Sequence, residues 1–255
     1  ARVAMSIALS SQRIAGVFAS SAAYPDGELR KTLPFPVFAT AGTEDFNHLE
    51  MRQFDRALTT PHHLAIFEGG HIWLSSAMAL EGVEWMEVQA MKAGLKARDD
   101  HELDAIFAKR TAAVAAARSD KDAFVALQSL ATDFKGLRDV SSFSTRAEVL
   151  GKYKSVRDGL KKDRDEDDRE QRTLDEVRTL EGRLPALADH NDTLVDLRQR
   201  WQALSLQAKA GTDSEDRRFA RRVLNTLSAT VESTDPEYLK IVAEYRLGRG
   251  GRAPQ

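Results

Sequence analysis

Val37-Phe38-Ala39-Thr40-Ala41-Gly42-Thr43-Glu44-Asp45 is an apolar run that stops on a glycine and an acidic turn. Leu64-Ala65-Ile66-Phe67-Glu68-Gly69-Gly70-His71 repeats the pattern and ends on a histidine. Each reads as a buried strand followed by a tight loop, with a helical stretch around His48–Leu58 between them. Strand, helix, strand in that order calls for a crossover connection and a parallel sheet. Open sheets of this kind carry their chemistry at the C-terminal ends of the strands. Asp45 and His71 fall there.

Outward from this pair the same alternation continues. Ile14–Ala19 reads as a third buried strand, preceded by a helix over Arg2–Ser11 and followed by a loop with Pro25, Asp26 and Gly27. Turn chemistry belongs at those three residues. A longer helix is expected over Ser75–Ala93, with Met78, Val83, Trp85, Met86 and Met91 apolar. The expected fold class is α/β, a partial parallel sheet of three strands joined to an all-α region.

Charge separates those two regions. Residues 1–95 hold seven Lys/Arg and ten Asp/Glu, whereas residues 96–255 hold thirty and twenty-nine. A sheet covered on both faces needs the first composition, and solvent-exposed helices tolerate the second. The expected domains are therefore 1–95 and 96–255. In the second, helices are expected over His101–Arg118 and Asp120–Phe134, joined at Ser119 as a helical hairpin, the unit of tetratricopeptide-like arrays. One long helix is expected over Thr145–Arg183, with the charged run Lys161–Gln171 as a solvated face. Helices over Leu194–Leu206, from the capping-box signal at Thr212-Asp213-Ser214-Glu215 through Leu227, and over Pro236–Leu247 complete it. The Gly/Arg tail beyond is expected to fray.

Composition excludes several classes of function. There is no cysteine, so disulfides, thiolate catalysis and Cys-based metal sites are ruled out, while the compartment stays open. A net charge of −2 gives no whole-chain argument for nucleic acid, and no run is long enough to span a bilayer. Ser10-Ser11-Gln12-Arg13 interrupts the apolar N-terminus and argues against a secretory signal. The chain begins at Ala1 rather than Met, and a longer protein is expected.

A carboxylate and an imidazole at neighbouring strand ends are the parts with which a serine hydrolase activates its nucleophile. Gly69 and Gly70 allow the tight turn that brings His71 to the sheet edge. Plainer roles exist for each residue. Asp45 could cap the helix that follows it. His71 could bond a loop carbonyl, and Glu44 is an alternative orienting acid. His62 and His63 point to opposite faces of a strand and are not expected to chelate one ion. His48 is expected on a helix surface, and Trp73 either lines a pocket or packs in the core. Arg217-Arg218 and Arg221-Arg222 read as a solvated basic stripe rather than a nucleic-acid surface.

Gly42-Thr43-Glu44-Asp45, Phe67-Glu68-Gly69-Gly70-His71 and the closing helix with Trp85 resemble the C-terminal half of an α/β-hydrolase of the esterase and dienelactone-hydrolase-like branch. The order acid then histidine agrees with that family. The resemblance implies Asp45 as triad acid, His71 as base, no cofactor and no metal. It implies a small-molecule or peptide acyl substrate. It also places the serine on a Gly-x-Ser-x-Gly elbow upstream of Ala1, since Ser10 and Ser11 do not lie at a strand-to-helix turn. This chain alone is expected to be inactive, with one sheet edge uncovered. The alternative is a non-enzymatic scaffold whose helical region binds a protein partner.

Overall fold

The computed structural model describes residues 1–11 and 13–247, and the expected fraying of the tail falls outside them. Ten helices and three strands occur among the described residues, a mixed α/β fold with a helical majority. Strands β1 (Val17–Ser20), β2 (Val37–Gly42) and β3 (His62–Phe67) form a parallel sheet in the order β1-β2-β3. β1 pairs with β2 in the register Val17 to Val37 through Ser20 to Thr40. β2 is the central strand and is buried at all six positions. β3 lies at an edge and is only half-covered, with Ile66 exposed, so it is not the fully buried strand that its apolar run suggested.

The chain forms two compact units. The first comprises residues 1–40, 51–65 and 73–166. It holds helices α1 (Arg2–Ser10), α3 (Ser76–Lys92), α4 (Asp100–Ala115), α5 (Asp120–Phe134) and α6 (Ser141–Gly151). Ser75, Asp99 and Ser119 cap α3, α4 and α5 by accepting amide hydrogens of the first turn, as short polar residues do at this position. Gly82 lets α3 lie directly on the sheet, because a Cβ there would strike the rings of Phe18 and Phe38. α4 and α5 form the expected hairpin over a core of Leu103, Ile106, Leu127, Leu130 and Phe134. The first turns of α1 leave Val3 and Ile7 largely exposed.

The long helix expected over Thr145–Arg183 is two helices. α6 stops at Gly151 and α7 (Lys154–Glu181) starts three residues later. Lys152 and Tyr153 donate back to Val149 and Leu150 carbonyls, the three-residue reach of a tightened final turn. Nor is the charged run Lys161–Gln171 a solvated face throughout. Asp163 pairs with Lys121 at 2.9 Å, and Asp167 and Glu170 are buried. A charged sequence reads as surface because charge is costly to bury, and it is found inside only where partners are matched to it.

The second unit comprises residues 41–50, 66–72 and those from Asp167 onward. The rest of α7 packs in it with α8 (His190–Ala208), α9 (Glu215–Ala229) and α10 (Pro236–Tyr245). Its core is built on Trp201, Val223, Leu224 and Tyr238, and Leu49 joins it. Trp201 donates Nε1–H to the Tyr238 hydroxyl at 3.2 Å, and that hydroxyl donates to Glu181. Burial raises the Glu181 carboxyl above its ordinary range.

Candidate active site

The two loops that follow β2 and β3 are both in the second unit and run side by side. Thr43 donates its amide to the Phe67 carbonyl and Glu44 donates to the Gly69 carbonyl, each at 2.8 Å. The Thr43 hydroxyl donates to Glu68 at 3.0 Å and accepts from the Gly69 amide at 3.3 Å. Gly69 has φ +137°, a backbone state that other residues rarely adopt. Gly42 is where the two backbones touch, since a Cβ on it would overlap the carbonyl oxygens of Gly69 and Gly70. Gly42→Ala is expected to cost roughly 1–3 kcal/mol, the range for forcing an extra carbon into packed surroundings. A lowered urea midpoint, with the loop amides exchanging faster, would register it.

This pairing brings Asp45 and His71 together. Asp45 Oδ1 lies 3.1 Å from His71 Nδ1. Asp45 is fully buried, while the imidazole is about half exposed, at 48%. Its ring stacks on Phe46 with centroids 4.4 Å apart and planes 24° from parallel. A carboxylate can only accept, so the contact places the imidazole proton on Nδ1 and leaves Nε2 with a lone pair. That is the protonation a general base needs.

Asp45 also serves the plainer purpose weighed above. Its Oδ1 accepts the Asn47 amide at 2.8 Å, and its carbonyl accepts the His48 amide at 3.0 Å, which sets the entry to α2 (His48–Ala57). Its other oxygen, Oδ2, is buried with no hydrogen-bond partner. Glu44 faces elsewhere, with Oε2 3.0 Å from Arg221 Nε and Oε1 3.8 Å from Arg217. It is not the acid beside His71.

Two expectations, for His48 and for the arginine stripe, need correction, and one of the two alternatives for Trp73 falls away. His48 is buried rather than on the surface, with Nδ1 2.9 Å from the Gly42 carbonyl. Trp73 is 89% exposed and is not a core residue. The arginines of α9 are not a solvated stripe. Arg222 is buried and donates to Glu170 at 2.7 Å and to the Thr43 carbonyl at 3.0 Å. Asn225 and Thr226 donate to the carbonyls of Glu44 and Phe46 at 3.3 and 2.8 Å. Local periodicity could not reveal this, because the partners lie about 180 residues away in sequence. The one available signal was the polar pair Asn225-Thr226 set between the apolar Val223-Leu224 and Leu227.

His62 and His63 belong to the first unit and take separate partners. His62 approaches the carbonyls of Thr60 and Asp55 at 2.7 and 2.9 Å. His63 lies 3.4 Å from Ser129 Oγ and 3.5 Å from Glu81, and its proximity holds the Glu81 carboxyl below its usual range. Ser10 donates to the Ile7 carbonyl at the end of α1 and makes no nucleophile elbow. Among the described residues, no group of three or more His, Asp or Glu side chains is placed to hold a metal ion. No helix among them is long and apolar enough to cross a membrane.

No protein-family model, curated protein or solved structure matches this chain. The geometry itself offers a buried carboxylate, an imidazole oriented by it, and a free ring nitrogen directed away from that carboxylate. Such a pair can take a proton from a hydroxyl or water and stabilise the resulting imidazolium.

Proposed function

We propose that Asp45 and His71 are the acid and general base of a serine hydrolase acting on an ester, thioester or peptide-like acyl bond, in the manner of an α/β-hydrolase. The observation that carries the reading is the 3.1 Å contact between a fully buried carboxylate and Nδ1 of a half-exposed imidazole. An Asx turn at the start of α2 accounts for Asp45 alone; it gives no reason for an imidazole on the same oxygen. In this reading His71 Nε2 takes the proton of a serine hydroxyl as oxygen attacks the acyl carbon. His71 then returns that proton to the leaving group, while Asp45 stabilises the positive charge on the ring. In such a fold the serine and the oxyanion-hole donors lie upstream of the acid in chain order, on a Gly-x-Ser-x-Gly elbow.

Two measurements test this. The 255-residue chain is expected to show no His71-dependent hydrolysis of a p-nitrophenyl ester. In the protein with its upstream sequence, a fluorophosphonate is expected to label one serine, and His71→Ala to abolish that labelling. Labelling indifferent to His71 would remove the base from the mechanism and favour a scaffold whose helices bind a partner.

A further inference from the structure

The loop carrying Asp45 is gripped from one side by a single helix. Over residues 43–46, three backbone carbonyls, those of Thr43, Glu44 and Phe46, each accept from a different α9 side chain. The donors are Arg222, Asn225 and Thr226, which lie on one face of the helix by their three- and four-residue spacing. Arg222 is itself fixed, since its Nε donates at 2.7 Å to Glu170, a residue with no exposed surface. The grip brackets Asp45 and includes Phe46, the ring on which His71 stacks.

Pairing with the loop after β3 constrains Thr43 and Glu44, and holding a carboxylate within hydrogen-bond range of an imidazole further requires that the backbone on both sides of Asp45 keep its place. Three carbonyl anchors around Asp45 supply that constraint, because a side chain's position follows from the backbone that carries it. We infer that Arg222, Asn225 and Thr226 are positioning residues for the Asp45–His71 pair, so that the C-terminal helices are structural parts of the site and not a separable module. The inference rests on the acid–base reading above for its meaning, and its test is separable from it.

The test uses the 255-residue chain and ¹⁵N spectroscopy of His71, with hydrogen exchange at the Asn47 amide, which donates to Asp45 Oδ1. Wild-type His71 is expected as the Nδ1–H tautomer. Thr226→Val removes one donor at constant volume and is expected to shift His71 toward the Nε2–H form that an unrestrained neutral imidazole favours. The Asn47 amide is expected to exchange roughly fivefold faster or more, the effect of losing one ordinary hydrogen bond. Thr226→Ser is expected to restore both readings, and Asn225→Ala to repeat the loss should Thr226→Val fold poorly.

Folded variants with unchanged tautomer and unchanged exchange would overturn the inference. If wild-type His71 lacks the Nδ1–H form, the acid–base reading fails instead. The exchange rate alone then decides the clamp, faster exchange supporting it and unchanged exchange overturning it.

Discussion

Asp45→Asn, in the protein carrying its upstream sequence, is expected to lower ester turnover about 10⁴-fold with substrate binding little altered. The amide keeps the shape of the carboxylate and can still accept the Asn47 amide, so α2 should begin where it does now. What it loses is charge. It no longer offsets the positive charge that His71 gains when it takes a proton. In the opposite orientation its NH₂ faces Nδ1 and drives the ring proton onto Nε2, the atom that must accept one, at the expense of the Asn47 hydrogen bond, since both contacts are made at Oδ1. Steady-state kinetics with an activated ester, beside a circular dichroism spectrum matching wild type, would read this. Turnover within a few-fold of wild type would reduce Asp45 to a helix-entry residue.

Arg222→Met is expected to destabilise the second unit by about 3–5 kcal/mol, the usual result of removing one partner of a buried ion pair. Methionine keeps most of the stem's volume, so packing around Val223 and Leu224 should survive. The Glu170 carboxylate, with 0% exposure, loses its guanidinium, and the Thr43 carbonyl loses its donor. Native-state hydrogen exchange of α9 amides measures the effect in that unit alone, which a global melt of a chain with two compact units would not. Adding Glu170→Leu should recover much of the loss, since a hydrophobic replacement of the whole pair is often tolerated. An unchanged α9 exchange pattern in Arg222→Met would mean that the pair contributes little.

The alternation of strands and helices through residues 1–95 was legible because both periods are local. So was the pairing of Asp45 with His71, since two glycine-containing loops after adjacent parallel strands have few places to go. What sequence patterning concealed was non-local. A helix-period run of arginines is the same whether it faces water or, as with Arg222 in α9, a buried glutamate and a loop carbonyl. The apolar run His63–Phe67 likewise could not declare that β3 ends at a sheet edge with Ile66 exposed. The break at Gly151 had no proline to announce it; packing against α5 and the tightened turn at Tyr153 made it.

The span between the Thr43 carbonyl and its Arg222 donor also orders events in time. During synthesis the segment bearing Asp45 leaves the ribosome 179 residues before the guanidinium that will hold it. Non-local closures of that length come late, after the chain has met the entropy of bringing distant ends together. On the positioning role inferred for α9, the anchors around Asp45 close only once that helix has emerged, and a chain cut short before it would carry the acid and imidazole without them.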